Sequence, residues 1–398
     1  METNILNLEK AMKDYYLPSF DNQISTKTSP LLSSIKTVTH NTNKIVASAP
    51  MGISGGFGFG AEGQNTPQSG PVAYERFETD LKDLYVDVEI SHKAVELGNT
   101  KAMMIDALNA EMKACYEAAK WNVGRSLFGN GTGKLANIDA QSSASDKIKV
   151  DSVQNLKEGL TIDIYTSSGT LKETNRIKFI DRKPVSNKYT VTLYNTTKST
   201  LAAGFITVQN SYNKELTGIG AIFDNSVASI YGISKALNPI LVPETIDAGG
   251  YADDIILNNA VRVSEDEHNG SINMLLCGYD AYDAYLEYCR AQNTRVENRI
   301  GELKGGFKTI KFMACGREID IVAEKFVPKG EIWGVNTNDI TLYQSGWKFA
   351  NLRGGGIFNL AENRSVYRGL LANYANVICQ NPGACVRITN CSDYTATA

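Results

Sequence analysis

"GGFGFGAEGQNTPQSGP", residues 55–71, sets Gly58, Gly60 and Gly63 at the G-x-G-x-x-G spacing of a dinucleotide-binding loop. A phosphate cradle of that kind needs a strand before the glycines and, after them, a helix whose first amides face the pyrophosphate. Pro67 and Pro71 forbid the helix, because an interior proline removes a backbone donor and clashes with the preceding turn. The flanks suggest another use for glycine. Residues 44–48 (KIVAS) read as a strand, and residues 85–90 (YVDVEI) alternate strictly between apolar and acidic. Taken as the sides of a long hairpin, they make residues 44–90 an arm whose tip holds Phe57 and Phe59 among six glycines from Gly52 to Gly63. A two-stranded ribbon is marginal in water. The arm therefore needs a support, expected on another copy of the chain, with glycine permitting close backbone approach and the two phenylalanines acting as anchors.

The 398 residues exceed one ordinary core and imply two or three structural units. With 42% hydrophobic and 21% charged residues, the chain is expected to fold throughout. A net charge of -3, from 40 Lys and Arg against 43 Asp and Glu, lacks the basic footprint of a dedicated nucleic-acid binder. Neither a signal peptide nor a run of about 18 apolar residues is present, so a soluble, cytoplasm-made chain is expected. Seven cysteines without C-x-x-C spacing fit neither a disulfide framework nor a zinc site. Cys379, Cys385 and Cys391 stand six apart, on one face if the tail is extended. Unpaired thiols are the expectation for them, with an inter-chain disulfide as the alternative.

Along the chain, residues 3–16 read as a short amphipathic helix leading into a polar connector. Residues 99–128 read as one long helix, with Asn99 as N-cap and the glycines of 129–133 as its stop, a rod of roughly 45 Å. Residues 148–213 alternate repeatedly and suggest a small β barrel or sandwich inserted as its own unit. From about 219 the pattern is mixed: a helix near 252–265, a strand at 272–277, a tyrosine-rich helix at 279–291, and strands at 318–327 and 331–336. Further strands follow Trp347, with Gly354, Gly355 and Gly356 between two of them.

Chemical motifs are incomplete. The stretch 129–134 (GNGTGK) imitates a Walker A loop, yet Phe128 stands where its first glycine belongs and Leu135 where Ser or Thr would hold magnesium. His40, His92 and His268 lack metal-ligand spacing, and there is no G-x-S-x-G elbow. Asp253-Asp254 and Glu265-Asp266-Glu267 read as solvated helix faces rather than an acid and base pair. Tyr279, Tyr282, Tyr285 and Tyr288 recur every third residue; such a stripe can stack sugars or bases, but packing against a neighbouring layer or subunit is the expected use. No catalytic, cofactor-binding or metal-binding residue is assigned.

The order of an N-terminal arm, Leu31-Leu32-Ser33-Ser34-Ile35, a loop with Gly60-Ala61-Glu62-Gly63, a long helix and then Arg125-Ser126-Leu127-Phe128-Gly129-Asn130-Gly131-Thr132-Gly133 resembles the major capsid proteins of tailed bacteriophages. Residues 374–382 (YANVICQNP) are similar to the closing strand of the same proteins. The resemblance covers essentially the whole chain, and it is the order of the motifs that carries it. It implies an α+β shell subunit with the Johnson fold: N-terminal arm 1–43, extended β-hairpin loop 44–83, peripheral domain 84–147 with spine helix 99–128, β-rich insertion domain 148–213, axial domain 219–345, and a return to the peripheral domain over 346–398. It implies no enzyme but a self-assembling virion protein, built in the host bacterial cytoplasm into pentamers and hexamers of an icosahedral capsid around double-stranded DNA.

Expected inter-subunit contacts on the arm and loop are Tyr15, Tyr16, Phe57, Phe59, Glu62, Tyr74 and Arg76. Expected partners are further copies of the chain, a separate scaffolding protein, portal and decoration proteins, and weakly held DNA; no cofactor or membrane is implied. An encapsulin-type cellular compartment is the alternative within the fold, and a carbohydrate- or nucleotide-using enzyme the alternative outside it. Two departures from the family pattern matter. About forty residues precede the loop, too few for the helical scaffolding segment that some relatives remove by proteolysis, so no N-terminal cleavage is expected. Other relatives weld subunits through a loop lysine, whereas residues 51–73 contain none. Assembled protein boiled in detergent is therefore expected to run as a single monomer band; a ladder of covalent multimers would contradict this.

Overall fold

A computed structural model describes residues 24, 27–52, 56–63, 65, 68, 70, 72–91, 101–197, 200–292, 300–303, 306–350, 357–360 and 364–392. The helix expected at 3–16, with Tyr15 and Tyr16, lies outside them, as do Asn99 and the glycine run 354–356. The chain divides into two compact units, Arg125–Ala221 and the remainder, Met1–Gly124 with Ile222–Ala398.

The larger unit is organised around one long strand, Val366–Cys379. Lys82–Ser91 runs antiparallel to it from Val366↔Ser91 to Ala375↔Lys82, and Ile340–Gln344, Lys348–Phe349 and Phe358–Leu360 also pair with it. Lys36–Thr39 adds a parallel edge beside Ile340–Gln344, completing six strands. Val88, Leu371, Trp347, Phe349 and Ile357 pack with Met112 and Ala119 of the helix Lys101–Leu127. Met112 and Ala119, seven positions apart, thus lie on one buried face of that helix.

A second, seven-stranded sheet runs Glu244–Asp247, Val386–Thr389, Ile332–Val335, Met274–Cys277, Arg317–Ala323, Lys308–Ala314 and Ile300–Glu302. Helices Asp254–His268 and Tyr279–Ala291 contribute Leu257, Ala260, Val261, Ala281, Tyr285 and Cys289 to one core with it. Asp253 caps the first helix by accepting from the Ile256 amide at 2.8 Å, and Asn269 ends it in the left-handed region. The tyrosine stripe drifts around the second helix. Tyr285 is buried and donates its hydroxyl to Asp254 Oδ1 at 3.1 Å, whereas Tyr279 faces water.

Two sequence boundaries shift in the larger unit. The end of the expected arm 1–43 is part of the body: Ser29 caps the short helix Pro30–Ser34, Leu31 and Leu32 are buried, and Lys36–Thr39 belongs to a sheet. Residues 346–398 divide between both sheets, because the turn Pro382–Ala384 redirects the chain into Val386–Thr389. The same turn removes the extended tail on which Cys379, Cys385 and Cys391 would share a face. All three thiols are free and buried in their own chain.

The smaller unit is a closed six-stranded barrel in the order Gly204–Val208, Lys134–Ile138, Lys147–Val150, Lys188–Leu193, Leu171–Val185, Thr161–Thr166. Its first strand starts at Lys134, ahead of the 148 boundary, because Gly204–Val208 needs a partner on each edge for closure. Ile148, Val150, Ile162, Ile164, Ile177, Val191, Leu193 and Ile206 fill it. Ser186 and Asn187, with φ of 53° and 60°, make the two-residue turn between Leu171–Val185 and Lys188–Leu193 that matches strand twist. The two ends of the unit are tied together. Arg125 donates to both carboxylate oxygens of Glu215 at 2.8 and 2.6 Å, and the Ile219 amide donates to Leu127 O at 2.8 Å. A Cβ on Gly218 or Gly220 would lie 2.3 Å from Leu127 O or 2.2 Å from Phe128 O, so only glycine permits this approach.

In the larger unit Ser29 also donates from its hydroxyl to Glu324 Oε2 at 2.7 Å. Burial holds the Glu324 carboxyl above its usual 4.5, although the Ser29 and Phe326 bonds act the other way. A folded-state value above the unfolded one gives stability that is complete below that unfolded value and is lost as pH rises through the folded value. Glu324→Gln removes the charge, so in urea unfolding from about pH 4 to about pH 8 the midpoint of the variant is expected to gain on the wild type as pH rises. A pH-independent difference would contradict the assignment.

Candidate assembly interface

Strands Lys44–Met51 and Ala73–Asp80 form a ribbon paired over its whole length, from Lys44↔Asp80 to Met51↔Ala73. The expectation that residues 85–90 form its second side is corrected: they lie in Lys82–Ser91, which pairs with Val366–Cys379. Their two-residue alternation gives the ribbon two unlike faces. Ile45, Ala49 and Phe77 are buried, whereas Val46, Tyr74 and Arg76 face water. Eight residues at about 3.4 Å each carry the tip roughly 27 Å from the base.

The base is fixed to its own unit. Phe77, with no exposed surface, packs on Tyr231 at 5.4 Å between ring centroids, and the Glu78 amide donates to Tyr231 O at 2.9 Å. Tyr231 is itself buried, which pushes its phenol upward, and its oxygen accepts from the Cys379 amide at 3.0 Å. Asn376, fully buried in the long strand, donates to Thr79 Oγ1 at 2.9 Å and to Asp80 O at 2.8 Å. The expectation that the ribbon finds support only on a second molecule is therefore corrected for its paired part. Phe77 and Ile45 give that part an apolar face, which its own chain covers.

The tip is different. Phe57 is 81% and Phe59 96% exposed, and the two rings meet edge to face at 5.3 Å. A Cβ at Gly60 or Gly63 would meet nothing within 4 Å, so these glycines are not required by any close approach within the chain. Of the residues expected at an inter-subunit contact, Phe57, Phe59, Glu62, Tyr74 and Arg76 all face solvent. Arg76 Nε lies 2.7 Å from Glu78, which Lys44 also pairs with; exposed ion pairs of this kind add little to stability. Tyr231 and Asn376 were missed by reasoning from sequence. An asparagine inside the apolar run of 374–379 was the available signal, since a polar residue buried in a strand must find partners.

A ribbon with a rigid base, an apolar tip in water and the two sheets described above can be compared with solved structures. The chain is similar to a chain of the cyanophage A-1(L) capsid asymmetric unit, at a TM-score of 0.51 and 11% identity, covering 92% of this chain and 93% of that one. It has the phage capsid fold. An encapsulin complex from Synechococcus elongatus gives a TM-score of 0.48 at 9% identity over 92% and 89% of the two chains. The satellite phage P4 procapsid gives 0.43 at 10% over 94% and 98%. No protein-family model matches the sequence, and no curated protein matches it. The cyanophage comparison carries the assignment of the Johnson fold, and at 11% identity it is a statement about fold.

The two ends of the ribbon make opposite demands on stability. Phe57→Ala/Phe59→Ala is expected to melt within about 1 °C of the wild type, because both rings lie almost wholly in water. Phe77→Ala is expected to lose about 3–5 kcal/mol in urea unfolding. Equal losses in the two variants would mean that the tip is packed on its own chain.

Proposed function

We propose that the chain is the structural subunit of a closed icosahedral shell enclosing double-stranded DNA, assembling as pentamers and hexamers. The observation that carries this reading is the pair Phe57 and Phe59, held in water at the end of a ribbon whose base is rigid. Burying a phenylalanine releases about 1.5–3 kcal/mol. A monomer leaves that free energy unused, whereas a neighbouring subunit recovers it, and many modest contacts of this kind sum over a lattice. The capsid fold supports the reading. On it, the ribbon is the extended loop, the helix Lys101–Leu127 is the spine helix, the barrel is the insertion domain, and the seven-stranded sheet with its two helices is the axial domain.

The role is geometric rather than catalytic, and no cofactor is assigned. Near-neutral charge suits an inner wall that holds DNA without gripping it. Partners on this reading are further copies, a separate scaffolding protein, a portal and decoration proteins, within a virion assembled in the host cytoplasm. The test is negative-stain microscopy of purified protein, with and without neighbouring phage proteins. Closed shells, tubes or capsomer rings are expected, with nucleic acid in filled particles and loss of assembly in Phe57→Ala/Phe59→Ala. Particles carrying protein cargo and no nucleic acid would assign a cellular compartment instead. A protein that stays monomeric in every condition would overturn the reading.

A further inference from the structure

The charge of the chain is unevenly divided. Residues 125–221 carry 13 Lys and Arg against 8 Asp and Glu, leaving 27 against 35 for the rest. The near-neutral total therefore conceals a basic barrel and an acidic body. Much of the basic charge lies on one strand, Leu171–Val185, where Lys172, Arg176, Lys178, Arg182 and Lys183 are all exposed. Arg176 stacks over Tyr194 at 5.5 Å and Arg182 pairs with Glu158 at 3.3 Å. Lys172, Lys178 and Lys183 have no ion pair with a described residue.

The same strand and its neighbourhood expose large apolar side chains. Phe179 and Tyr194 are each 57% exposed, Val185 72% and Leu171 49%. A closed barrel of six strands has no need to place them in water, since its interior is already filled. Aliphatic Leu171 and Val185 gain from burial against protein, whereas a nucleic-acid surface would reward only the aromatic rings. The acidic body supplies complementary groups: Asp266, Glu267, Asp283 and Glu287 are exposed on the helices Asp254–His268 and Tyr279–Ala291, without an ion pair to a described residue.

We propose that the outer surface of strand Leu171–Val185 is a second assembly contact, which seats against the acidic body of a neighbouring copy of the same chain. It rests on the shell reading above and adds to it a contact that is separate from the ribbon tip. Opposite charges set orientation and speed encounter, the exposed apolar groups supply the burial, and the contact weakens as salt rises.

Two experiments on the full chain test this. In the first, isotopically light and heavy copies are mixed, assembled and treated with a zero-length carboxylate-to-lysine cross-linker. Hybrid light–heavy peptides joining Lys172, Lys178 or Lys183 to an acidic residue outside 125–221 are expected; their absence, with other hybrid links present, overturns the proposal and leaves the shell reading intact. In the second, Lys172→Glu/Lys178→Glu/Lys183→Glu is compared with the wild type by sedimentation. The expected result is a fall of about tenfold in assembled fraction at low salt, with melting unchanged and with partial rescue by Asp283→Lys/Glu287→Lys. Normal assembly with reduced retention of duplex DNA would assign the surface to nucleic acid and overturn the proposal. A variant that fails to fold leaves the cross-linking result to decide, and wild-type protein that never assembles overturns both readings.

Discussion

Asn376 and Tyr231 hold the base of the ribbon, and the placement of its exposed tip depends on that grip. Asn376 donates both amide bonds to Thr79 and Asp80, while its carbonyl accepts from the Val377 amide at 3.0 Å. A buried amide with its capacity used in this way is rigid, because every alternative orientation leaves a polar group unpaired. Tyr231 adds an aromatic face under Phe77 and a phenol oxygen for the Cys379 amide. Without such a hold, a two-stranded ribbon would be free to fold its phenylalanines back onto the nearest apolar surface.

The same long strand that carries Asn376 also organises the larger unit. Val366–Cys379 pairs with Lys82–Ser91 along ten residues, then delivers the chain through Pro382–Ala384 into the second sheet. The ribbon base, the six-stranded sheet and the seven-stranded sheet are therefore tied by one continuous C-terminal segment. At the other end of the chain, Ser29 fixes the approach of Leu31 and Leu32 through the buried carboxyl of Glu324. A segment that reads as a loose arm is thus anchored where it meets the body.

Local patterns in the sequence were informative wherever the chemistry is local. The tyrosine helix, expected at 279–291, runs over Tyr279–Ala291, and the long helix ends among glycines, two of which, Gly131 and Gly133, have positive φ. The tip phenylalanines were legible because glycine-rich surroundings offer them no side chains to pack against. Boundaries that depend on distant pairing were not legible. The barrel recruits Lys134–Ile138 to close on Gly204–Val208, a partnership across some seventy residues that no periodicity encodes. Phe77 read as part of a partnerless ribbon because its support, Tyr231, lies about 150 positions away and stands at a φ of 50°. The basic strand is not legible in the total charge for a different reason: a net charge of -3 averages over two regions of opposite sign.

The stitching of Arg125 to Glu215 and of Leu127 to Ile219 has a consequence for how such a chain can change. A module whose entrance and exit touch requires only a short bridge from its host, so it can be shortened, exchanged or replaced by foreign sequence without stretching the scaffold that carries it. Gly218 and Gly220 are the seam. A chain built in this way can gain or lose the barrel as a cassette while the fold that carries it stays the same.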